Sequence, residues 1–424
     1  FNEADADRQG CAVGSVKSMI GHTKAAAGVA GLTKVALSLH HRVLPPTLGV
    51  TQPNPKAKFP ESPFYVNTEA RPWIQGATSG PRRAGASSFG FGGTNFHIVA
   101  EEYAGDFLPD EGTTLDPWPA ELFIWRGITR AHILDAIAPL LQKLEQGARP
   151  RLADLAATVI AQAGEATDAR HTLAAVATSL DDLVEKLRQA RALLEGATDR
   201  AHTPQGLHYA EKPLAANGKV ALLFPGQGSQ YVNMARELAV IFPEVRESLD
   251  RSDAAIAGRL PRPLSRYVFP QPSFGAEEDR EQQAALTETH VAQPALGAVE
   301  IAMYRLLHSY GVEPDMVAGH SYAEFVALCV AGSFDEETLL KLSEARGRFI
   351  REGTTEESGT MAAIDAAPDE LLPILDGLDV VAANKNAPRQ TVISGTRAGV
   401  DEAIARCSER GLRARQLPVS CAFH

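Results

Sequence analysis

The sequence predicts an α/β protein built in three successive blocks, and three observations carry that reading. The apolar run KVALLF at 219–224 reads as a buried strand and passes directly into the glycine turn PGQGSQ. A second buried-strand candidate, MVAGH at 316–320, leads through a tight turn into the helix-like run SYAEFVAL. Residues 360–419 then alternate as strand TMAAIDA, helix DELLPIL, strands DVVAANK and QTVISGT, helix GVDEAIARCSE and strand LRARQLPVS. That order is βαββαβ.

The blocks divide at about residues 1–103, 104–217 and 218–424. In the first, Thr23 is placed to cap a helix running through AAAGVAGLTKVALSLHH, which Pro45 and Pro46 stop. Gly28 and Gly31 weaken that helix and are expected to mark close packing against a neighbour. SPFYVNTEA and TNFHIVAEE have strand character. The middle block reads as strand ELFIWRG, helices near 130–146 and 151–163, strand HTLAAVATS and helix 180–195. It is an αβ spacer without a motif that carries chemistry. The third block holds both strand–turn–helix units, and the βαββαβ stretch inside it is a ferredoxin-like unit of about 360–419.

Composition narrows the function classes. A chain of 424 residues, 44% hydrophobic and 22% charged, suits two or three globular domains with sizeable cores. The net charge of −11 lacks the basic footprint of a nucleic-acid binder. No apolar run reaches membrane-spanning length and no signal pattern opens the chain. Cys11, Cys329, Cys407 and Cys421 show neither metal-ligand spacing nor the density of a disulfide framework. No metal is expected, and a reducing, cytoplasmic location is. Opening on Phe1 and closing on His424, the chain reads as a piece of a longer one.

The chemistry concentrates on Ser321. A serine hydroxyl needs a base within hydrogen-bond reach, and a strand–turn–helix placement exposes its oxygen. The helix start adds backbone N–H groups for a developing oxyanion. In VAGHSYAEFVAL, Phe325, Leu328 and Cys329 recur on one face of the following helix. Ala323 stands where the elbow pattern Gly-x-Ser-x-Gly has its second glycine. Taken alone, Ser321 is either such a nucleophile or a helix-cap serine. The turn PGQGSQ either lets backbone approach a ligand or merely joins a strand to a helix. Arg346 in SEARGRF either forks onto a carboxylate or sits exposed on its helix. His424, after LPVSCAF, is either a base or structural.

Taken together and in order, FPGQGSQ, QPAL at 293–296, GHSYAE, ARGRF, GTMAAI, NKNAPRQTVISG and VSCAFH resemble the motif series of malonyl-CoA:acyl-carrier-protein transacylases. They are most similar to the acyltransferase domains of type I polyketide synthases, over about 219–424. The resemblance implies an α/β-hydrolase-like large subdomain carrying the ferredoxin-like small one. Ser321 matches the acyl-accepting nucleophile and His424 its general base. Gln227 and the backbone N–H of Tyr322 match the oxyanion hole, and Arg346 matches the residue that pairs with the malonyl carboxylate. Gln293 and His320 match positions lining the same pocket. Phe423 matches a phenylalanine that accompanies malonyl use, and Tyr322 differs from the glutamine of methylmalonyl-type domains. Cys421 departs from the commoner histidine of the malonyl motif. The implied reaction moves a malonyl group from malonyl-CoA, through the serine ester, to the phosphopantetheine thiol of an acyl carrier protein. No tightly bound cofactor is implied.

SVKSMIGHTKAAAGVAGLTKVALSLHHRVLPPT and SSFGFGGTNFH resemble the C-terminal half of a β-ketoacyl synthase, which implies thiolase-like topology for 1–103. Lys17 and His22 match its lysine and second catalytic histidine. Cys11 does not stand in the context of that family's nucleophilic cysteine, so the condensation site is incomplete here. Residues 104–217 match the linker between synthase and acyltransferase, and the parent is expected to be a homodimer. Family acyltransferases continue past the histidine motif, which implies weak activity or none for this stretch by itself. Two rivals stand beside this reading. One is a serine hydrolase or thioesterase of α/β-hydrolase type, whose triads run serine, acid, histidine in chain order. The other is an inactive docking scaffold.

Overall fold

The computed structural model describes residues 8–76, 80–105, 118–164, 169–196, 198–212, 218–353, 359–417 and 421–424. In the first block a 3₁₀ turn at Lys24–Ala26 leads into helix α1, Ala27–His41. Thr23 does not cap it, because its hydroxyl makes no hydrogen bond among the described residues. The Lys24 N–H is taken instead by Nδ1 of His22 at 3.0 Å, so the preceding histidine fills the capping role. Strands β1, Arg83–Phe89, and β2, Asn95–Glu101, form an antiparallel hairpin in register from Arg83 opposite Glu101 to Phe89 opposite Asn95. A Cβ on Gly28 would press on Ser88 of β1 at 3.3 Å, as close packing requires. Gly31 has open space where a Cβ would stand, so its expected packing role is not met.

The middle block makes a four-stranded antiparallel sheet. Its strands are β3, Glu121–Gly127; β4, His171–Ala177; β5, Arg200–His202; and β6, Leu207–Glu211, in the order β3-β4-β6-β5. The sequence reading had the first two strands and missed β5 and β6, which are short and polar-flanked. Helices α2, Arg130–Glu145; α3, Leu152–Gly164; and α4, Leu180–Glu195, cover the sheet. Thr129 and Ser179 cap α2 and α4 by accepting from the N–H three residues on. Phe123, Ile133, Ile137, Leu173, Leu183 and Leu187 are fully buried in a core of their own.

In the third block, strands β7, Ala221–Phe224, and β8, Met316–Gly319, pair in parallel, with Phe224 opposite Gly319. Helix α5, Pro243–Ala255, and the long helix α6, Thr289–Ser309, pack against each other. Residues 291–302 of α6 are buried on every side, which follows from the near-continuous small and apolar run VAQPALGAVEIA. Helix α7, Glu324–Val330, follows the Ser321 turn, and α8, Glu336–Gly353, lies against α6. The approach is close: a Cβ on Gly347 would meet the backbone of Thr289 and His290. The buried residues of α7 are Val326, Ala327 and Cys329, while Leu328 is exposed. Of the Phe325–Leu328–Cys329 set, Cys329 is buried and Phe325 packs partly against the core, while Leu328 points to solvent, because the helix packs against β8, α6 and α8 through a neighbouring side.

The small unit comprises β9, Thr360–Ile364; α9, Pro368–Leu375; β10, Val380–Ala387; β11, Gln390–Gly395; α10, Arg397–Glu409; and β12, Ala414–Gln416. Its antiparallel sheet has the order β10-β11-β9-β12, the pattern expected of βαββαβ. Residues 418–420, the end of the strand read in LRARQLPVS, lie outside the described residues. The first block is tied to the third by charge: Arg82 pairs with Glu102 at 3.0 Å and with Asp250 of α5 at 2.6 Å. Arg71 reaches across to the carbonyl of Phe269, and Glu69 pairs with Arg236.

Candidate active site

The parallel register sets the site. Because Phe224 lies opposite Gly319, the turn after β7 and the turn after β8 emerge side by side at the carboxyl ends of the strands. That edge is where open α/β sheets place ligands. The His320 N–H donates to the Phe224 carbonyl at 3.0 Å, locking the two turns together.

Ser321 stands at the top of its turn with φ of +56°, a left-handed conformation uncommon for a residue with a side chain. Holding it there costs of order 1–3 kcal/mol, supplied by surrounding packing. Two neighbours impose it. A Cβ on Gly319 would collide with the backbone of Ala323 and Glu324, so only glycine fits beneath the turn. Tyr322 and Ala323 are fully buried, and the Tyr322 hydroxyl shares a hydrogen bond of 2.7 Å with Ser343 of α8. The Ala323 methyl is accommodated in that core, so the departure from Gly-x-Ser-x-Gly leaves the turn intact. Desolvation drives the Tyr322 phenol far above its usual range, and the buried side chain anchors the turn.

Ser321 Oγ lies 2.6 Å from Nε2 of His424. Burial, then the positive charge of Arg346, lowers the His424 pKa; Glu324 opposes that shift and His320 adds to it. The ring is thus held neutral at physiological pH, with a lone pair for the serine proton. Among the described residues no carboxylate pairs with His424, so the arrangement is a dyad without the acid of a Ser–acid–His triad.

Arg346 is half-buried on α8, with its guanidinium carbon 6.0 Å from the Phe325 ring centre. Burial lowers its pKa, partly offset by Tyr322 and Glu324. Among the described residues it has no carboxylate within ion-pair distance, whereas Arg259 and Arg348 both pair with Glu344. A guanidinium whose field reaches the base, and which has no acid partner, suits a carboxylate brought by a ligand.

The turn after β7 and helix α6 each contribute a glutamine. Gln227, in the turn after β7, donates from Nε2 to Thr289 Oγ1 at 3.2 Å and accepts from Gln293 Nε2 at 3.1 Å. One N–H of its amide is thereby oriented, and the other has no partner among the described residues. Gln293 is buried, and its Oε1 has no partner among the described residues. His320 donates from Nε2 to Oδ1 of Asn386 in the small unit at 3.1 Å. Phe423 is half-buried immediately before His424. Lys17 and His22 are both exposed in the first block. Sequence reasoning did not single out Thr289 or Asn386. The first was findable from its i, i+4 spacing to Gln293 on α6; the second lies within the quoted NKNAPRQ, where nothing local marks it.

Glu300, two turns beyond Gln293 on α6, is buried with neither carboxyl oxygen hydrogen-bonded among the described residues. Burial pushes its pKa up to about 8. The unfolded chain ionises near the ordinary glutamate value while the folded one keeps the proton, so stability falls as pH rises between the two values. Glu300→Gln removes that penalty. Urea unfolding is expected to show the variant more stable than wild type at pH 8 by on the order of 4 kcal/mol and unchanged near pH 4. An equal difference at both pH values would contradict the assignment.

Comparison with known proteins gives the same order of domains. The family described as acyl transferase domain matches residues 221–424, and the β-ketoacyl synthase C-terminal domain matches residues 1–51. Polyketide synthase GfsA of Streptomyces halstedii is 36% identical over 427 residues, covering 97% of this chain and 5% of that synthase. The chain thus spans a small fraction of the curated relatives it matches. The acyl transferase domain of ZmaA superposes with a TM-score of 0.61 at 25% identity, over 72% of this chain and 66% of that one. The acyl transferase domain of SpnD in complex with 2-(pent-4-yn-1-yl)malonyl gives 0.57 at 26% identity, over 73% and 67%. Among the described residues no helix is long and apolar enough to cross a membrane, and no group of three or more His, Cys, Asp or Glu could hold a metal ion.

Proposed function

Residues 221–424 are an acyltransferase domain of a type I polyketide synthase, following the C-terminal end of a β-ketoacyl synthase, and from that premise we propose that the domain loads a malonyl unit. The observation that carries the proposal is the 2.6 Å Ser321–His424 contact beside an arginine without an acid partner. Malonyl-CoA enters with its free carboxylate on Arg346. His424 takes the Ser321 proton as Oγ attacks the thioester carbonyl, and the oxyanion sits between the Gln227 amide and the Tyr322 backbone N–H. Collapse expels CoA, which leaves as its thiol with the proton from His424, and leaves a malonyl ester on Ser321. The phosphopantetheine thiol of an acyl carrier protein then attacks the ester by the same route in reverse. Phe423 narrows the pocket on the side where a branched extender would carry its methyl group. A methyl is worth only about 1–3 kcal/mol of discrimination in an apolar pocket. The malonyl-bearing complex of the SpnD domain supports a dicarboxylic acyl group. Residues 104–217 space the two catalytic units.

The test is mass spectrometry of the Ser321 peptide after incubation with malonyl-CoA or acetyl-CoA. A malonyl ester that disappears on adding a phosphopantetheinylated carrier protein, with little acetyl ester, is expected. Hydrolysis of neutral esters in place of malonyl loading would favour the hydrolase reading.

A further inference from the structure

We infer that Asn386 is a positioning residue for the acyl-transfer site, acting through His320 and placed there by a β-bulge; the inference rests on the acyltransferase reading of that site. Strand β10 pairs with β11 through Ala382 opposite Ile393, Asn384 opposite Val392, Lys385 opposite Thr391 and Ala387 opposite Gln390. Ala383 and Asn386 are skipped, so each is the extra residue of a bulge. A bulge bends its strand and re-aims the residues around it, and a one-residue slip in register exchanges the faces of a strand. At Asn386 the outcome is a side chain directed off the sheet toward the turn after β8. Its Oδ1 accepts from His320 Nε2 at 3.1 Å, a bond spanning 66 residues and joining the small unit to the nucleophile turn.

His320 is held from three sides. Its backbone N–H is bound to Phe224 at the end of β7. Gly226 packs so closely on it that a Cβ there would come within 2.9 Å of ring Nδ1 and strike the His320 carbonyl. Asn386 fixes the remaining ring nitrogen, and because Oδ1 can only accept, that nitrogen carries the proton. Ser321 is the next residue and Gln227 follows Gly226. The ring therefore spaces the nucleophile from the oxyanion-binding turn, and Asn386 sets the ring. A displacement of about 1 Å at such a point costs up to about a hundredfold in rate.

Two assays separate this inference from the malonyl reading. One is malonyl transfer; the other is the reaction of Ser321 with a fluorophosphonate, which needs an activated serine but no malonyl group. Asn386→Ala is expected to lower kcat and the fluorophosphonate rate about tenfold, with KM for malonyl-CoA within about twofold. Asn386→Asp, which retains an acceptor oxygen at the same reach, is expected to recover most of the loss. Asn386 is exposed, so the fold should tolerate both variants. The double variant Asn386→Ala, His320→Ala is expected to be no slower than His320→Ala alone. Nitrogen-15 histidine spectra should show His320 protonated at Nε2 in the wild type and as a tautomer mixture in Asn386→Ala. If malonyl loading is absent from the wild type but the fluorophosphonate rate still falls in Asn386→Ala, the positioning role stands and the malonyl reading falls. A wild-type fluorophosphonate rate in Asn386→Ala, or losses that multiply in the double variant, would overturn it.

Discussion

Ser321→Ala is expected to abolish formation of the covalent acyl intermediate, leaving no label on the protein after exposure to radiolabelled malonyl-CoA. Among the described residues the hydrogen bond to His424 runs from Ser321 Oγ alone, and Cys329 and Cys407 are buried thiols whose pKa values are raised by desolvation. His424→Ala should keep the serine but leave its proton without an acceptor, slowing acylation about a thousandfold or more. The pH profile separates base from scaffold. His424 must be neutral to act, and its pKa lies below the ordinary histidine value. Acylation should therefore climb with pH through that lowered value and level off by about pH 7. Equal labelling of wild type and Ser321→Ala would end the covalent mechanism.

Arg346→Ala should collapse the preference for malonyl over acetyl, by about a thousandfold in the ratio of kcat/KM. A site with a charged donor built for one carboxylate rejects ligands lacking it, because the donor would be left unpaired. Removing the donor takes away both the attraction to malonyl and the penalty against acetyl. The same substitution has a second readout. The Arg346 charge helps to depress the His424 pKa, so without it the acid limb of the pH profile should move up. An unchanged acyl-CoA preference would show that the carboxylate is recognised elsewhere. A changed preference with an unmoved acid limb would show that the guanidinium lies too far from the base to act on it.

Much of this was legible in the chain. The βαββαβ unit could be read from periodicity because its strands and amphipathic helices each satisfy a local pattern, and its sheet order follows. The strands before PGQGSQ and SYAEFVAL were legible as short apolar runs ended by glycine turns, but the burial expected of them is not met: among the described residues they form a two-stranded sheet, and Leu223 and Met316 are exposed. Where local pattern is weak, the reading failed. Strand β5 is only three residues long and β6 places only Leu207 and Tyr209 in the core, and α7 is too short for its spacing to reveal which side meets α6 and α8. At Thr23 the capping preference of a hydroxyl lost to the imidazole of His22, a competition invisible without coordinates.

The sequence by itself determined which chemical groups are present, their order, and the local elements that carry them, because side-chain type and hydrophobic period act over a few residues. Only the tertiary structure decided that Ser321 and His424, 103 positions apart, share a hydrogen bond. It also decided that Ser321 takes a left-handed φ and that a bulge turns Asn386 toward His320. Each of those depends on the register of β7 against β8 or β10 against β11, and on how closely the backbones approach at Gly319, Gly226 and Gly347. Register and close approach are set by the packing of whole elements against one another, and no stretch of residues contains that information alone.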